Sequence, residues 1–228
     1  MLPHRPTLEH YRALFTSLSL GRYFLNSLII ATGGTILAVL ITGTAGYAFA
    51  KLRFRGREPL FRALLAGMII PGQVAMLPMF ILLREMGLIN TLFGAMIPVL
   101  APIYGIFLVR QYALSIPDAL LEAARLDGAS EARVFWSIVL PGLAPVLTTL
   151  GVFTFLAAWN DFMWPLIVLS DDARYNLPVA LANLAGEHVQ DVELMMAGAV
   201  VTVLPVFIGF LFLQRHYIQG IMAGSVKG

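Results

Sequence analysis

Five stretches of this chain contain no Asp, Glu, Lys or Arg: residues 23–50, 63–83, 86–109, 134–160 and 194–214. Each is at least 21 residues long. A helix rising about 1.5 Å per residue needs roughly 20 residues to cross the ~30 Å hydrocarbon core of a bilayer. Backbone polar groups in lipid must be satisfied within the protein, which makes a helix the natural form of such a stretch. Charged residues make up 12% of the chain, about half the ~25% of a soluble domain, so lipid is the solvent this composition suits. The expectation is an all-α membrane protein: a polytopic bundle of five transmembrane helices in one domain over residues 23–228, preceded by an extracytoplasmic segment over 1–22.

Several classes of chemistry have no footing. There is no cysteine, which removes disulfides, thiolate metal sites and thiol nucleophiles. Residues 1–22 are polar and carry Arg5, Arg12 and Arg22, without the apolar run and small-residue site of a cleavable signal. A phosphate-binding P-loop requires Gly-Lys, yet Lys51 follows Ala50 and Lys227 follows Val226, so ATP would have to be hydrolysed on another polypeptide. No H-E-x-x-H or G-x-S-x-G is present. Glu187, His188, Asp191 and Glu193 match no closed metal site and suit a solvated loop. Nothing points to nucleic acid.

Lys and Arg distinguish the two sides of the membrane. Segments 51–62, 110–133 and 215–228 hold ten of the fifteen. The rule that basic loops stay inside places these segments in the cytoplasm, the N-terminus outside and the C-terminus inside. Lys51, Arg53, Arg55 and Arg57 close the first span there. A topology anchor accounts for them, with anionic lipid as the lesser alternative.

The longest charge-rich segment runs from Glu122 to Pro141 and therefore faces the cytoplasm. Pro117 suits the first position of a helix, Asp118 complements its positive end and Gly128 is a natural stop, giving about three turns. Ala119, Ala123 and Ala124 leave one side nearly flat. Glu122 and Arg125, spaced i,i+3, can pair or reach outward. A flat face flanked by charges suits another protein's cleft.

The order Glu122-Ala123-Ala124, three residues, Gly128, nine residues, Ile138, one residue, Leu140-Pro141 resembles the cytoplasmic signature loop of the membrane subunits of ABC importers, the binding-protein-dependent permeases. All seven signature positions are present. The resemblance implies a bundle of the type I importer permease kind. It also implies a coupling loop over about residues 113–135, docking on a separate ATPase through Glu122, Ala123, Ala124, Asp127, Gly128, Ile138, Leu140 and Pro141. The chain itself would bind no cofactor, with ATP and Mg on the partner. Two ATP-binding subunits, a second and different permease subunit, an extracytoplasmic solute-binding protein and membrane lipid are the implied partners.

Within the spans, Gly34, Ala38, Thr42 and Gly46 form a ridge of small residues that invites a closely packed helix. Packing within this subunit is the plainer use of it, a subunit interface the other. Pro71-Gly72-Gln73 and Pro78 interrupt the second span. Such breaks persist where protein or a water-filled cavity satisfies the freed groups, which makes Gln73 a candidate pathway residue, or else a hinge or interhelix bond. The fourth span, from about Trp136 to Leu169, carries Trp159-Asn160-Asp161-Phe162-Met163-Trp164. A carboxylate centred in the bilayer costs about 2.5–3.5 kcal/mol on insertion scales, so Asp161 should face the bundle interior or lie near the outer interface. Trp159, Asn160 and Asp161 combine an aromatic face with hydrogen-bonding groups, which suits a polyhydroxylated ligand. An interfacial aromatic belt explains them equally.

Residues 170–193 read as the longest outer loop, suited to an external partner. Arg215–Gly228, Asn26-Ser27 and Trp159-Asn160-Asp161 are similar to the carbohydrate branch of these permeases, near the second membrane subunit of maltose-type and glycerol-phosphate-type systems. That branch usually has one more N-terminal membrane helix, so a truncated start and a five-helix variant both fit. An ion-coupled secondary transporter is the rival reading. It would need ionisable residues in mid-membrane and inverted repeats; only Asp161 qualifies, and no repeat is evident.

Overall fold

The computed structural model describes residues 7–16, 19–187 and 192–207. Among them every regular element is helical. The short α1, Glu9–Thr16, precedes α2, Leu20–Lys51, which is 32 residues long and extends the first expected span by a few residues at its start. α3, Arg57–Ala66, runs into a 3-10 turn ending at Ile69, and α4, Gly72–Glu85, leaves at an angle of 108°. Pro71 stands in that gap, where its missing N–H and the restriction on Ile70 forbid a continuous helix. The interruption expected in the second span is thus a sharp corner at Pro71, whereas Pro78, expected to share in it, lies inside α4 without ending it.

The third span is also bent. α5, Leu92–Met96, and its 3-10 extension to Val99 meet α6, Ile103–Leu114, at 51°, with Pro102 at the joint. α7, Asp118–Leu126, and α8, Glu131–Val134, form the loop. A wide turn of π-helix, Phe135–Val139, then leads into α9, Leu140–Trp159. Such a turn loosens the backbone where Pro141 can donate no hydrogen bond. The span expected to continue to Leu169 stops at Trp159, and α10, Met163–Val168, is a separate short helix. The segment read as an outer loop contains α11, Leu177–Glu187. It is followed by α12, Val192–Phe207, the described part of the last expected span. His188, Asp191 and the tail Arg215–Gly228 lie outside the described residues.

The chain divides into two compact units, one of residues 31–82 and 96–158, the other of 1–30, 83–95 and 159–228. In the first, α2 packs through its small-residue ridge, as expected, and the partner is within this chain. A methyl group on Gly46 would lie 2.5 Å from Val109 Cγ1, and one on Gly34 2.9 Å from Val99 Cγ2. Ala38 and Thr42 are fully buried. The Thr42 hydroxyl is satisfied by the Ala38 carbonyl of its own helix at 2.6 Å, the usual solution where water is absent. The core of this unit joins Tyr47, Val109, Leu143 and Leu147 to Leu121 of α7 and Val134 of α8. The loop is therefore seated on the core of this unit.

In the second unit the head of α2 captures a distant stretch of chain. Asn26 Nδ2 donates to the carbonyls of Ala173 and Tyr175 at 3.0 and 2.9 Å, and the amide of Leu177 donates to Ser27 Oγ at 2.7 Å. Tyr23 Oη donates to Asp172 at 2.8 Å. Asn26 and Ser27, both almost fully buried, thus act structurally, satisfying the polar backbone that leads into α11.

Candidate functional site

The loop helix α7 is built much as its sequence requires, displaced by one residue. Pro117 caps it from outside in extended conformation (φ −61°, ψ 130°), and Asp118 is the first helical residue, at the positive end of the dipole. Gly128 takes φ +84°, a left-handed conformation open to glycine at little cost. With Gly128 so placed, Ala129 N–H reaches the Ala124 carbonyl and Gly128 N–H the Arg125 carbonyl, both at 3.0 Å. This paired closure satisfies two carbonyls that the helix end would otherwise orphan.

One face of α7 is fixed and the other is open. Leu121 is 1% exposed and Ala124 half-buried against the core. Glu122, Ala123 and Asp127 are exposed, and Leu126 is 88% exposed. Leu126 thus adds an apolar side chain to the open face. Arg125 does not pair with Glu122; its guanidinium bonds Glu131 at 2.6 and 3.3 Å, leaving Glu122 to point outward. The other signature residues serve differently. Ile138 and Leu140 are partly buried against the same core and Pro141 is exposed at the head of α9, so this half of the motif sets how the loop joins the span.

Two residues of α2 that sequence reasoning did not connect with the loop hold it in place. Lys51 donates to the Ile116 carbonyl at 2.6 Å and the Asp118 carboxylate at 2.7 Å, and that contact holds the Asp118 carboxyl below the usual carboxylate range. Tyr47 Oη donates to Glu131 at 3.0 Å. Their spacing of four over the last two turns of α2, facing one side, was the available signal.

The candidate pathway residues are not equivalent. Trp159 is fully buried, donates its indole N–H to the Thr202 carbonyl at 3.1 Å, and meets Phe24 edge-on with ring centres 5.5 Å apart. Its hydrogen-bonding edge is therefore occupied within the chain. Asn160 is exposed and Asp161 partly buried, in the break between α9 and α10. The Asp161 carboxylate accepts from the Trp164 amide at 3.4 Å, at the start of α10, and its main-chain carbonyl accepts from Asn176 Nδ2 at 2.7 Å. α9 itself runs for twenty residues, or about 30 Å, and Asp161 follows its last residue by two positions. Gln73 is exposed in the first turn of α4, just after the 108° corner.

These features define a class: a polytopic helical membrane protein whose outstanding polar element, among the described residues, is a seated, outward-facing loop helix. The chain belongs to the family of binding-protein-dependent transport system inner membrane components, whose model matches residues 38–222.

Relatives share nearly the whole chain. It is 36% identical to an arabinooligosaccharides transport system permease protein of Halalkalibacterium halodurans, over 99% of this chain and 81% of that protein. It is 32% identical to a lactose transport system permease protein of Rhizobium radiobacter, over 96% and 80%. Among solved structures, a bacterial ABC transporter involved in importing the acidic polysaccharide alginate superposes with a TM-score of 0.81 at 25% identity, covering 94% of this chain and 81% of that one. A second structure, of a bacterial alginate ABC transporter in complex with an alginate pentasaccharide-bound periplasmic protein, has the same fold at TM-score 0.68 and 16% identity, covering 92% and 83%.

Proposed function

We propose that this chain is one of two different membrane subunits of an ATP-driven importer, forming half of the translocation pathway for a sugar or sugar derivative. The observation that carries the reading is the loop helix. Glu122 and Ala123 face outward on a support fixed by Leu121 and closed by Gly128, in a chain of the binding-protein-dependent family. The relatives named for arabino-oligosaccharides and lactose support the carbohydrate substrate.

In this reading two ATP-binding subunits hold ATP and Mg, and α7 enters a cleft on one of them. The loop side is cytoplasmic, with the chain's N-terminus outside and C-terminus inside. A solute-binding protein delivers the sugar from outside. Closure of the ATPase pair moves α7 and, through α8, the π turn and Pro141, also moves α9, shifting the bundle between inward-open and outward-open arrangements. Asn160, Asp161 and Gln73 are the pathway residues proposed to meet hydroxyl groups, with Trp159 buttressing the break that presents the first two.

The test is ATPase activity of the complex reconstituted with its partner permease, ATPase and binding protein, across a panel of arabino-oligosaccharides, lactose and maltose. Stimulation by at least one sugar, lost on Glu122→Lys, is expected. A complex that forms without α7 touching the ATPase in cross-linking, or uptake that persists without any ATPase, overturns the reading.

A further inference from the structure

The last two turns of α2 hold the loop helix at both ends. At the front end, the Lys51 ammonium bonds the Ile116 carbonyl and the Asp118 carboxylate, on a side chain only 6% exposed. One turn earlier on the same face, Tyr47 bonds Glu131, which in turn grips Arg125 in the final turn of α7. Between these points Leu121 inserts into the core that contains Tyr47 and Ala50. A lysine that served only to mark the cytoplasmic side would extend into water. Withdrawing an ammonium from solvent is costly unless it is paired and hydrogen-bonded, and here both conditions are met by groups at the start of α7.

The two spans beside α7 are thus connected to it differently. α9 follows it along the chain, through α8 and the π turn. α2 is separated from it in sequence by all of α3 to α6, yet holds both its ends. We infer that Tyr47 and Lys51 are positioning residues which make α2 follow α7 when the loop is displaced, so that force enters the bundle through two spans instead of one. The four bonds, with Leu121 between them, form a contiguous set of contacts through which such coupling can pass. The inference rests on the reading of α7 as the ATPase-docking helix.

The test is hydrogen exchange of the assembled complex in nanodiscs, with and without ATP plus vanadate, followed in the peptides covering residues 44–52 and 118–128. In the wild type both peptides should change protection on nucleotide trapping. In Lys51→Met and in Tyr47→Phe the loop peptide should still respond, while the response of 44–52 falls roughly fivefold, the scale set by losing one hydrogen bond; Lys51→Arg should restore most of it. Tyr47→Phe keeps the ring against Phe135, 5.7 Å away between centres, and so isolates the hydroxyl should Lys51→Met assemble poorly. A 44–52 response unchanged in both variants, or absent from a wild type whose loop peptide responds, overturns the inference. A loop peptide that never responds, even in the wild type, overturns the docking reading and the inference with it.

Discussion

Arg125 and Glu131 meet at 2.6 Å across the turn made by Gly128, tying the end of α7 to the start of α8. Their side chains are 36% and 51% exposed, and pairs so placed contribute at most about 1 kcal/mol because water and salt screen them. Leu121, inside the core, is a different matter: truncating a buried leucine costs about 2–5 kcal/mol. Arg125→Ala, which removes the pair but keeps the Tyr47–Glu131 bond, should therefore leave the thermal stability of the purified protein nearly unchanged, whereas Leu121→Ala should lower it clearly. Equal losses would show that the loop is held by its charges and not by its apolar anchor.

Gly128 has φ +84° and nothing within 4 Å of where a side chain would begin. Substitution there meets backbone strain alone, about 1–2 kcal/mol for an L residue and more for a β-branched one. Gly128→Val should spoil the helix closure, reducing co-purification of the ATPase subunit and the ATPase rate, while the yield of the membrane chain is kept. Gly128→Asn, which tolerates this conformation, should be close to wild type. Normal complex yield and transport in the valine variant would remove Gly128 from the coupling role.

Gly46 is constrained for the opposite reason. Any side chain there would collide with Val109 at 2.5 Å and crowd the Arg110 amide at 3.0 Å, and overpacking of this kind costs about 1–3 kcal/mol. Gly46→Ala should depress the melting temperature, and adding Val109→Ala should recover part of the loss. Gly72→Ala, with open space around it, serves as the neutral control.

The Asp118 carboxyl is held below its ordinary range by hydrogen bonding and charge from Lys51. A group whose pKa falls on folding adds stability above its unfolded value, about 4, and that stability disappears as pH falls through the lower folded value. Melting temperature should show no pH dependence from this pair between neutral pH and mild acid, then a loss in strong acid that Asp118→Asn abolishes. A neutral-range slope removed by that substitution would contradict the assignment.

Two of the five expected rods, now α2 and the stretch ending in α9, and the helix of the loop were legible from residue order, because each depends on neighbours a few positions away. A charge-free run long enough for a bilayer satisfies its own hydrogen bonds wherever it lies, and Pro117, Asp118 and Gly128 bracket α7 through local backbone chemistry alone. The corner at Pro71 was likewise announced by proline, though its 108° was not, since proline weakens continuation without choosing a direction, and Pro78 and Pro145 lie inside unbroken helices. The helix α11 escaped notice because eleven residues in a polar surround resemble a loop until something pairs with the chain leading into them. What pairs with it is Asn26 and Ser27, 147 to 150 residues earlier. In the same way the grip of Tyr47 and Lys51 on the loop joins positions 65 to 84 residues apart. Contacts across such distances are made when separate helices close-pack and bury polar groups that must then find partners, and no local pattern of residues specifies which partners those will be.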